Sequence, residues 1–370
     1  MQVSESNEWS GGAAQLLALS QGLSQRGWRV LIACRPGSGL ERRAGELGFR
    51  TFAVGLKEDY DIFSAWTLAR FIKSERVDVV HAHHNRSHAV CLLSSALLRL
   101  MGERPVLIVS RRVSFPPGQN PFSRWKYQSR LIDQIVAVAE AVKGILVDSG
   151  VDPSRVSVIR SGVDSARFRP REPDAGIKKA FGLRDGMAVI GKIANASEWK
   201  GQEVLLRAAA LLKTRGRQGR FIFAGRDTDG ALMRQRVKEL GLEDRVVLAG
   251  FRSDIPELLS TLTLSVNAAV KGEGLSGALR ESLCQGIPVI ASDVAGNREL
   301  LGPGSADFLF PPGDAAALAA RLEWALDHQE QVRAWAQRWR RERLSEFDSQ
   351  TAITRTEALY RRMMVPGPTA

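Results

Sequence analysis

Short apolar segments alternate with longer amphipathic segments along nearly the whole chain. In the first half the apolar segments predict strands at Met1–Ser4, Trp28–Ala33, Thr51–Val54, Val77–Ala82, Val106–Ser110, Ile135–Val138 and Val156–Ile159. Apolar residues at helical spacing lie between them and predict helices at Ala13–Gln25, Ile62–Ser74 and Ala89–Leu100. This alternation is typical of βαβ units, in which a parallel sheet carries helices on both faces.

The pattern breaks at Gly162–Pro173, a polar stretch with Pro and Arg that predicts a linker. The alternation then restarts, with strands predicted at Ala188–Ile193, Arg220–Ala224, Arg245–Ala249, Leu262–Asn267 and Pro288–Ser292. Helices are predicted at Gln202–Lys213, Leu232–Leu240, Ile255–Leu259, Ala278–Gln285, Ala315–Leu326, Gln331–Glu342 and about Thr351–Met363. We therefore expect two doubly wound α/β domains that face each other across a ligand-binding cleft.

Composition fits this organisation and excludes several classes of protein. The 370 residues are 44% hydrophobic and 25% charged, which suits two soluble globular domains. The longest apolar stretch, His88–Met101, is shorter than the roughly 20 residues that span a bilayer. The first residues lack the pattern of a signal peptide, and three scattered cysteines indicate a reducing compartment. We expect a cytoplasmic protein.

The formal net charge of +12 lies mostly in the first half of the chain. Residues 1–170 hold 23 Lys and Arg against 15 Asp and Glu. Such a surface suits nucleic acid, anionic lipid or phosphorylated substrates. No helix-turn-helix, zinc-finger or RNP pattern accompanies the charge, so nucleic acid is not an expected partner.

Two groups of residues in the first half are candidates for substrate binding. Gly11 and Gly12 separate the first strand from a helix, where backbone N–H groups can bind phosphate, although a plain turn explains them equally well. Four histidines, His81, His83, His84 and His88, lie near the end of the fourth predicted strand. We choose His83 as the residue that contacts substrate; a surface strand end is the simpler alternative. A metal is not expected, because no cysteine or carboxylate is expected to complete a ligand shell with these histidines.

The second half carries the strongest signals. Lys192 ends a predicted strand and Lys200 precedes a helix, where two cations can meet a diphosphate. Glycines at 272, 274 and 277 form a loop that leads into a helix, and its amides can bind phosphate. Glu273 and Glu281 can accept hydrogen bonds from sugar or ribose hydroxyls, although Glu281 alone could serve the helix dipole.

These glutamates resemble the pair found in the retaining GT-B glycosyltransferases called family 4, or glycosyl transferases group 1. The same similarity extends over essentially the whole chain, in order, through DVVHAH at 78–83, RSGVDSARFRP at 160–170, KGQEVLL at 200–206, AGFRSDIPELL at 249–259, GIPVIASDVAGNREL at 286–300 and PPGD at 311–314. The resemblance implies an acceptor-binding domain at 1–165, a nucleotide-sugar-binding domain at 166–348, and a final helix at 349–370 that crosses back to the first domain.

The resemblance also implies roles for individual residues. Glu281 would bind the donor ribose, while Glu273 with the amides of Gly274, Leu275, Ser276 and Gly277 would hold the donor sugar. Lys192 and Lys200 would neutralise the diphosphate, and Gly12 would approach it. His83 would lie beside the transferred sugar, and the nucleotide base would lie near Phe251 and Arg252. Glu273, His83 and Lys200 are the predicted catalytic residues.

Some positions depart from the family pattern. Lys192 stands where an arginine is common, which keeps the charge and loses bidentate phosphate binding. Ser276 replaces the usual glycine of the loop. Asp227-Thr228-Asp229 matches the manganese-binding DxD motif of the other glycosyltransferase fold, but it follows a strand where this family has a surface loop. We interpret it as coincidental and predict neither a cofactor nor a required metal.

The acceptor is expected to bind to the first domain. There the segment 111–130 interleaves cations with aromatic residues, among them Arg111, Arg112, Arg124, Trp125 and Lys126. Such a strip can grip a phosphorylated saccharide or lie at an anionic membrane surface; a solvated basic loop is the alternative. The prediction is a transferase acting on a saccharide or lipid-linked acceptor, for example lipopolysaccharide, as a cytoplasmic or peripheral membrane protein at the inner face of the membrane.

Three other functions share parts of this pattern. A nucleotide-sugar epimerase has the same two-domain architecture and would consume donor without an acceptor. A nicotinamide oxidoreductase is disfavoured, because the GxGxxG motif and its downstream carboxylate are absent. A non-catalytic binding protein would not need Glu273, Glu281, Lys200 and His83 together.

Overall fold

The computed structural model describes residues 1–118 and 120–365, and it divides the chain into two units. The first unit joins Met1–Gly162 to the segment that starts at Ser349, and the second is Val163–Asp348. The boundary predicted from the sequence, residue 165, lies three residues later. None of the described helices is both long and apolar enough to cross a bilayer.

The first unit contains a seven-stranded parallel sheet. Its strands are β1 (Gln2–Ser4), β2 (Leu31–Cys34), β3 (Arg50–Ala53), β4 (Val79–Ala82), β5 (Val106–Arg111), β6 (Gln134–Ala137) and β7 (Val156–Val158). Their order is β3-β2-β1-β4-β5-β6-β7. The order reverses between β1 and β4, and the carboxyl edge at such a reversal is where doubly wound sheets bind ligands.

Helices connect these strands. They are α1 (Gly11–Gln25), α2 (Gly39–Glu46), α3 (Ile62–Ser74), α4 (Asn85–Leu100), α5 (Pro121–Gln128) and α6 (Glu140–Asp148). Side chains that accept from backbone N–H groups begin several of them: Ser10 accepts from Ala13 and Asn120 from Ser123.

The second unit contains a six-stranded parallel sheet. Its strands are β8 (Val189–Ile193), β9 (Arg220–Ala224), β10 (Val246–Gly250), β11 (Leu264–Asn267), β12 (Val289–Ser292) and β13 (Leu309–Phe310), in the order β10-β9-β8-β11-β12-β13. Its helices are α7 (Ala175–Ala180), α8 (Gln202–Thr214), α9 (Ala231–Glu239), α10 (Ile255–Ser260), α11 (Gly277–Gln285), α12 (Ala295–Leu301), α13 (Ala315–Asp327) and α14 (Gln329–Arg343). The order reverses between β8 and β11, so Lys192 and Asn267 lie on neighbouring strands there.

The last helix, α15 (Ser349–Met364), packs on α1 within the first unit. A Cβ at Gly22 of α1 would lie 2.4 Å from Ile353 Cδ1, so the glycine gives the close approach of the two helices. Tyr360 joins the apolar cluster under the sheet and meets the Trp28 ring edge-on at 5.7 Å. At the surface Arg26 pairs with Glu357 at 3.0 Å.

The predicted fold class of two Rossmann-like domains is confirmed, because both sheets are parallel and covered by helices. The prediction missed the short helices α2 and α7, the two-residue strand β13 and also α5, whose segment it offered as a basic strip or a solvated loop. In α5 a proline occupies the first turn and Asn120 supplies the cap, so the helix forms inside a segment without a clear apolar period.

A glycine in the second unit gives a test of close backbone packing. Gly201 is the N-cap of α8 and has φ +72°, and a Cβ there would lie 1.8 Å from the Ala268 carbonyl oxygen. We expect Gly201→Ala to lower the free energy of unfolding by about 3 kcal/mol or more, since it adds a collision with fixed backbone to the strained φ. Chemical denaturation of the two proteins measures the difference.

Gly216→Ala is the matched control. Gly216 has φ +74° and no heavy atom within 4 Å of the position that a Cβ would take, so its substitution should cost only the conformational strain of about 1 kcal/mol. Equal losses for the two variants would show that the Ala268 contact does not constrain the loop.

Candidate active site

A largely buried ion pair lies at the carboxyl edge of the second sheet. Lys200 Nζ donates to Glu273 Oε2 at 2.7 Å, and it also lies 4.0 Å above the centre of the Trp199 ring. Asn267 Nδ2, at the end of β11, donates to the same carboxylate oxygen at 3.3 Å. Glu273 is buried, and a buried carboxylate is costly unless charged and polar partners surround it in this way.

The loop that carries Glu273 is fixed by polar side chains and by close backbone packing. Asn267 Nδ2 also donates to Ser276 Oγ at 2.8 Å, while Asn267 Oδ1 accepts from the Ala269 amide at 2.9 Å. A Cβ at Gly296 of α12 would lie 2.2 Å from the Gly274 carbonyl oxygen. Ser276, the departure from the family glycine, therefore adds a hydrogen bond to the loop and also caps α11.

Lys192 is a buried cation next to this pair. Burial lowers the pKa of its ammonium group to about 7, and the neighbouring Lys200 charge acts in the same direction. The Glu273 carboxylate opposes the shift but already accepts the hydrogen bond from Lys200. Two lysines thus share one carboxylate, which leaves positive charge for an anionic ligand to neutralise.

The second glutamate, Glu281, lies on α11 and is half-buried. Burial raises the pKa of its carboxyl group, while Arg280 and Arg167 act in the opposite direction. Burial also lowers the pKa of the Arg280 guanidinium to about 10. Glu281 Oε1 lies 4.0 Å from where a Cβ on Gly277 would stand, so this carboxylate lies against the glycine loop.

Phe251 and Arg252 lie just after β10 and have different surroundings. The Arg252 guanidinium binds Asp254, with Nε to Oδ1 at 2.8 Å, and this interaction raises its pKa. The Phe251 ring is about half exposed. The ring is therefore the surface on which a flat ligand can stack, while Arg252 is held by its own loop.

In the first unit Gly12 contacts a histidine, but not the predicted one. A Cβ at Gly12 would lie 2.5 Å from His84 Nε2, so the glycine lets the imidazole reach the start of α1. His84 Nδ1 makes a hydrogen bond of 2.9 Å to Ser4 Oγ at the end of β1. The sequence led us to prefer His83 and to give His84 no role. The signal in the sequence that could have pointed to His84 is the Gly11-Gly12 pair, since a glycine at this position allows a bulky side chain to approach the backbone.

His83 is buried, and both of its ring nitrogens have partners inside the unit. Arg112 lies 3.0 Å from Nδ1, and Gln2 Oε1 lies 2.7 Å from Nε2. A guanidinium can only donate, so Nδ1 accepts and Nε2 carries the proton that is donated to Gln2. The ring therefore supports this edge of the sheet rather than projecting from it.

The same direction of donation continues to the last helix. Gln2 Nε2 donates to the Tyr360 hydroxyl at 3.2 Å, and this hydroxyl donates to His81 Nδ1 at 2.5 Å. His81 Nε2 then donates to Ser110 Oγ at 2.7 Å. One consistent orientation satisfies every member, with both histidines neutral and protonated on Nε2, and burial lowers the pKa of both well below the usual histidine value.

His88 does not join a site with His84. It is buried and meets the Tyr127 ring edge-on at 4.9 Å. Among the residues that the structure describes, no three His, Cys, Asp or Glu side chains are grouped so as to hold a metal.

The Asp227-Thr228-Asp229 segment, which matches the DxD motif, forms a turn after β9. Asp227 has φ +61°, and the buried Thr228 hydroxyl donates to the Gly225 carbonyl at 2.8 Å.

The predicted basic strip at 111–130 is not one surface. Arg111 is buried, where its guanidinium binds the Tyr127 hydroxyl and the Phe115 carbonyl. Lys126 is buried too, with Nζ 2.6 Å from the Asn85 carbonyl oxygen and 3.3 Å from Asp59 Oδ2. The prediction that these two residues contact a membrane or acceptor from the outside is therefore wrong, since each satisfies internal polar groups. Arg124 and Trp125 remain exposed.

Comparison with known families matches each half of the chain to a glycosyltransferase family. Residues 9–167 match Glycosyltransferase Family 4, and residues 175–342 match Glycosyl transferases group 1. The two domains together make the chain a glycosyltransferase. The two matched ranges correspond to the two parallel sheets, and the second contains both Glu273 and Glu281.

Similar proteins include transferases with different acceptors in their names. This glycosyltransferase is 28% identical to the 2-deoxystreptamine glucosyltransferase of Streptomyces kanamyceticus over 95% of its chain and 98% of that protein. It is 30% identical to the lipopolysaccharide core biosynthesis mannosyltransferase LpsB of Rhizobium meliloti (strain 1021), over 61% of its chain and 62% of LpsB. The crystal structure of Anabaena Alr3699/HepE in complex with UDP and glucose superposes with a TM-score of 0.84 at 19% identity, over 98% of both chains.

The chain of hydrogen bonds through His83 predicts two histidines that do not titrate. In ¹⁵N NMR spectra we expect His81 and His83 to show an unprotonated Nδ1 and a protonated Nε2 from pH 8 down to about pH 5.5, because Arg112 and Tyr360 donate to the Nδ1 atoms. Tyr360→Phe removes one of these donors and leaves Gln2 without its acceptor. We expect it to free the His81 tautomer and to cost about 1–3 kcal/mol of stability.

Tyr60→Phe is the control, since Tyr60 is an exposed tyrosine of the same unit. Its spectrum and stability should match the parent protein. A His83 ring that titrates near pH 6.5 in the parent protein would contradict the orientation assigned here.

Proposed function

We propose that this glycosyltransferase moves a sugar from a UDP-sugar to a saccharide or lipid-linked acceptor of the cell envelope, with retention of the anomeric configuration. The family gives the reaction class. The proposal of a nucleotide-sugar donor is supported by the group of cations and carboxylates at the carboxyl edge of the second sheet. The choice of uracil follows the similar structure that is named for its UDP complex.

The observation that carries the proposal is the pair of lysines around one buried carboxylate. Lys192 is almost fully buried and its pKa is lowered to about 7, so the folded protein bears the cost of an unbalanced cation. A diphosphate supplies the missing negative charge and can accept hydrogen bonds from Lys192 and Lys200. Lys200 has three N–H donors, so it can bind a phosphate oxygen and keep its hydrogen bond of 2.7 Å to Glu273.

The remaining donor contacts follow from the positions of the loop and helix. Glu281 lies against the glycine loop, where it can accept hydrogen bonds from the ribose hydroxyls, and the exposed Phe251 ring can stack on the base. Glu273 and the amides at 274–277 would hold the sugar. The fixed position of this loop, set by Asn267 and Gly296, means that little reorganisation is needed on binding.

The chemistry requires the bond between the anomeric carbon and the diphosphate oxygen to break. The electron pair leaves with the diphosphate, and the sugar gains oxocarbenium character. Lys192, Lys200 and the loop amides would stabilise the departing charge. For retention, we propose that the acceptor oxygen attacks from the same face while the leaving phosphate takes its proton, since Glu273 is engaged by Lys200 and Asn267 and is a poor candidate for a nucleophile.

The proposed acceptor rests on the relatives and on charge. LpsB is named for lipopolysaccharide core synthesis, whereas the Streptomyces enzyme is named for 2-deoxystreptamine. The first unit of this chain holds 24 Lys and Arg against 15 Asp and Glu, a balance that favours an anionic envelope glycan or lipid over a cationic aminocyclitol. We therefore propose peripheral association with the inner face of the membrane. An epimerase is not favoured, since the relatives reported above are named as transferases.

The donor site predicts a selective thermal shift. A UDP-sugar at about 100 times its Kd should stabilise the protein by about 2.7 kcal/mol, and Glu281→Ala should abolish most of this shift because the ribose loses its acceptor. Glu342→Ala, an exposed glutamate on α14, should retain the full shift. A shift with GDP- or ADP-sugars alone would reject UDP, and no shift with any of the three would reject the donor site.

Retention of configuration has its own test. With acceptor present, ¹H NMR spectra of the product should show the same anomeric configuration as the donor sugar. An inverted configuration would reject retention.

Lys192 predicts that donor binding takes up a proton. With a pKa of about 7 the free protein has a mostly neutral Lys192 at pH 8, and a bound diphosphate should raise that pKa and recharge it. Calorimetry in buffers of different ionisation enthalpy should then report uptake approaching one proton at pH 8, falling toward zero at pH 6. Lys192→Arg should bind donor without the uptake, because arginine stays charged. Equal uptake in this variant would assign the proton to another group.

A further inference from the structure

Six apolar and aromatic side chains lie in two segments, 60–66 and 122–125, that meet at the surface of the first unit through the Tyr60 and Phe122 rings. This aromatic patch consists of Tyr60, Ile62, Phe63, Trp66, Phe122 and Trp125. Its most exposed members are Phe63 at 77%, Ile62 at 69% and Tyr60 at 62%. Single exposed apolar residues are ordinary on protein surfaces. A group of exposed aromatic side chains from two segments instead indicates a surface that binds a protein, a membrane or a ligand.

The two segments of the aromatic patch contact each other directly. The Tyr60 and Phe122 ring centres lie 4.2 Å apart, and those of Phe122 and Trp125 lie 5.5 Å apart. Beneath the rings, Lys126 on α5 binds Asp59 and both oxygens of Asn85 at the start of α4. The buried Lys126 therefore holds the patch in place beside His84, at the carboxyl edge of the first sheet.

The charges around the patch are arranged to favour an anionic partner. Lys57, Arg70 and Arg124 are exposed at its margin, and the Arg70 guanidinium lies 4.8 Å from the centre of the Trp66 ring. Two nearby acids face inward: Asp59 binds Lys126, and Asp61 accepts hydrogen bonds from the Ser64 amide and hydroxyl to cap α3. Glu58 is the acid left exposed in this segment.

We propose that the aromatic patch is the surface by which this protein docks on an anionic lipid bilayer. Tryptophan, tyrosine and phenylalanine side chains with flanking Lys and Arg are the combination that binds at the boundary of headgroups and acyl chains. The excess of 24 basic over 15 acidic residues in this unit adds long-range attraction to such a surface. The inference rests on the proposed envelope acceptor for its purpose, because docking here would bring the candidate site of this unit to a lipid-linked substrate.

Vesicle sedimentation of the full chain tests the proposal without any substrate. We expect binding to vesicles of phosphatidylcholine with phosphatidylglycerol, and at least roughly tenfold weaker binding to phosphatidylcholine alone. The double variant Phe63→Ser/Trp66→Ser should lose at least about tenfold in affinity. Leu100→Ser removes an 86%-exposed leucine of the same unit outside the patch and should bind as the parent protein does.

Charge reversal supplies the second comparison. Arg124→Glu should weaken vesicle binding several-fold, while Lys238→Glu, the same change in net charge on α9 of the second unit, should have little effect. The proposal would be overturned if the parent protein did not bind vesicles, or if the double variant bound them as well as Leu100→Ser does. It would also be overturned if the parent protein bound no vesicles but formed dimers with rising concentration, and the double variant did not form them. The UDP-sugar thermal shift should persist in every variant, so a failed donor site and a failed docking surface give different results.

Discussion

The candidate donor site depends on backbones that approach each other too closely for a side chain. At Gly201 and Gly296 a Cβ would lie 1.8 Å and 2.2 Å from the carbonyl oxygens of Ala268 and Gly274. These contacts hold the start of α8 and the start of α12 against the loop after β11. Because Lys200 precedes Gly201 and Glu273 precedes Gly274, the same packing fixes the ion pair. The geometry of the charges is thus a consequence of glycine positions.

This fixed geometry concentrates charge where water is scarce. Lys192, Glu273 and Arg280 are all buried, and burial, with the nearby Lys200 charge, lowers the pKa of Lys192 to about 7. A flexible loop would relax around such a cation or expose it to solvent. Here the constraint prevents relaxation, so the unfavourable energy persists until an anion binds. The free protein is less stable as a result, and its site is electrostatically complementary to a diphosphate.

The sequence was sufficient for the fold class and for most helices and strands, because alternation of apolar segments decides both. The family resemblance also assigned Lys200 and Glu273 to one donor site, and in the structure both follow strands, β8 and β11, that are neighbours in the sheet. Prediction from the sequence failed where burial decides the role of a polar residue. Arg111 and Lys126 look like surface cations in the sequence, yet internal acceptors hold both. Likewise nothing in the sequence shows that Gly12 meets His84 while His83 is engaged by Arg112 and Gln2, since those contacts join residues about 30 to 80 positions apart.

The burial of Lys126 also explains how the aromatic patch can exist. A cation on the outer face of α5 would keep the rings around it hydrated, but Lys126 turns inward and leaves Trp125 and Phe122 as the outer surface. The ammonium group is satisfied by Asp59 and Asn85, which removes an acid from the same surface and ties the patch to α4. One side chain thus makes the exterior more apolar, less acidic and more rigid at once. Those are the properties that distinguish a docking surface from a mobile basic loop.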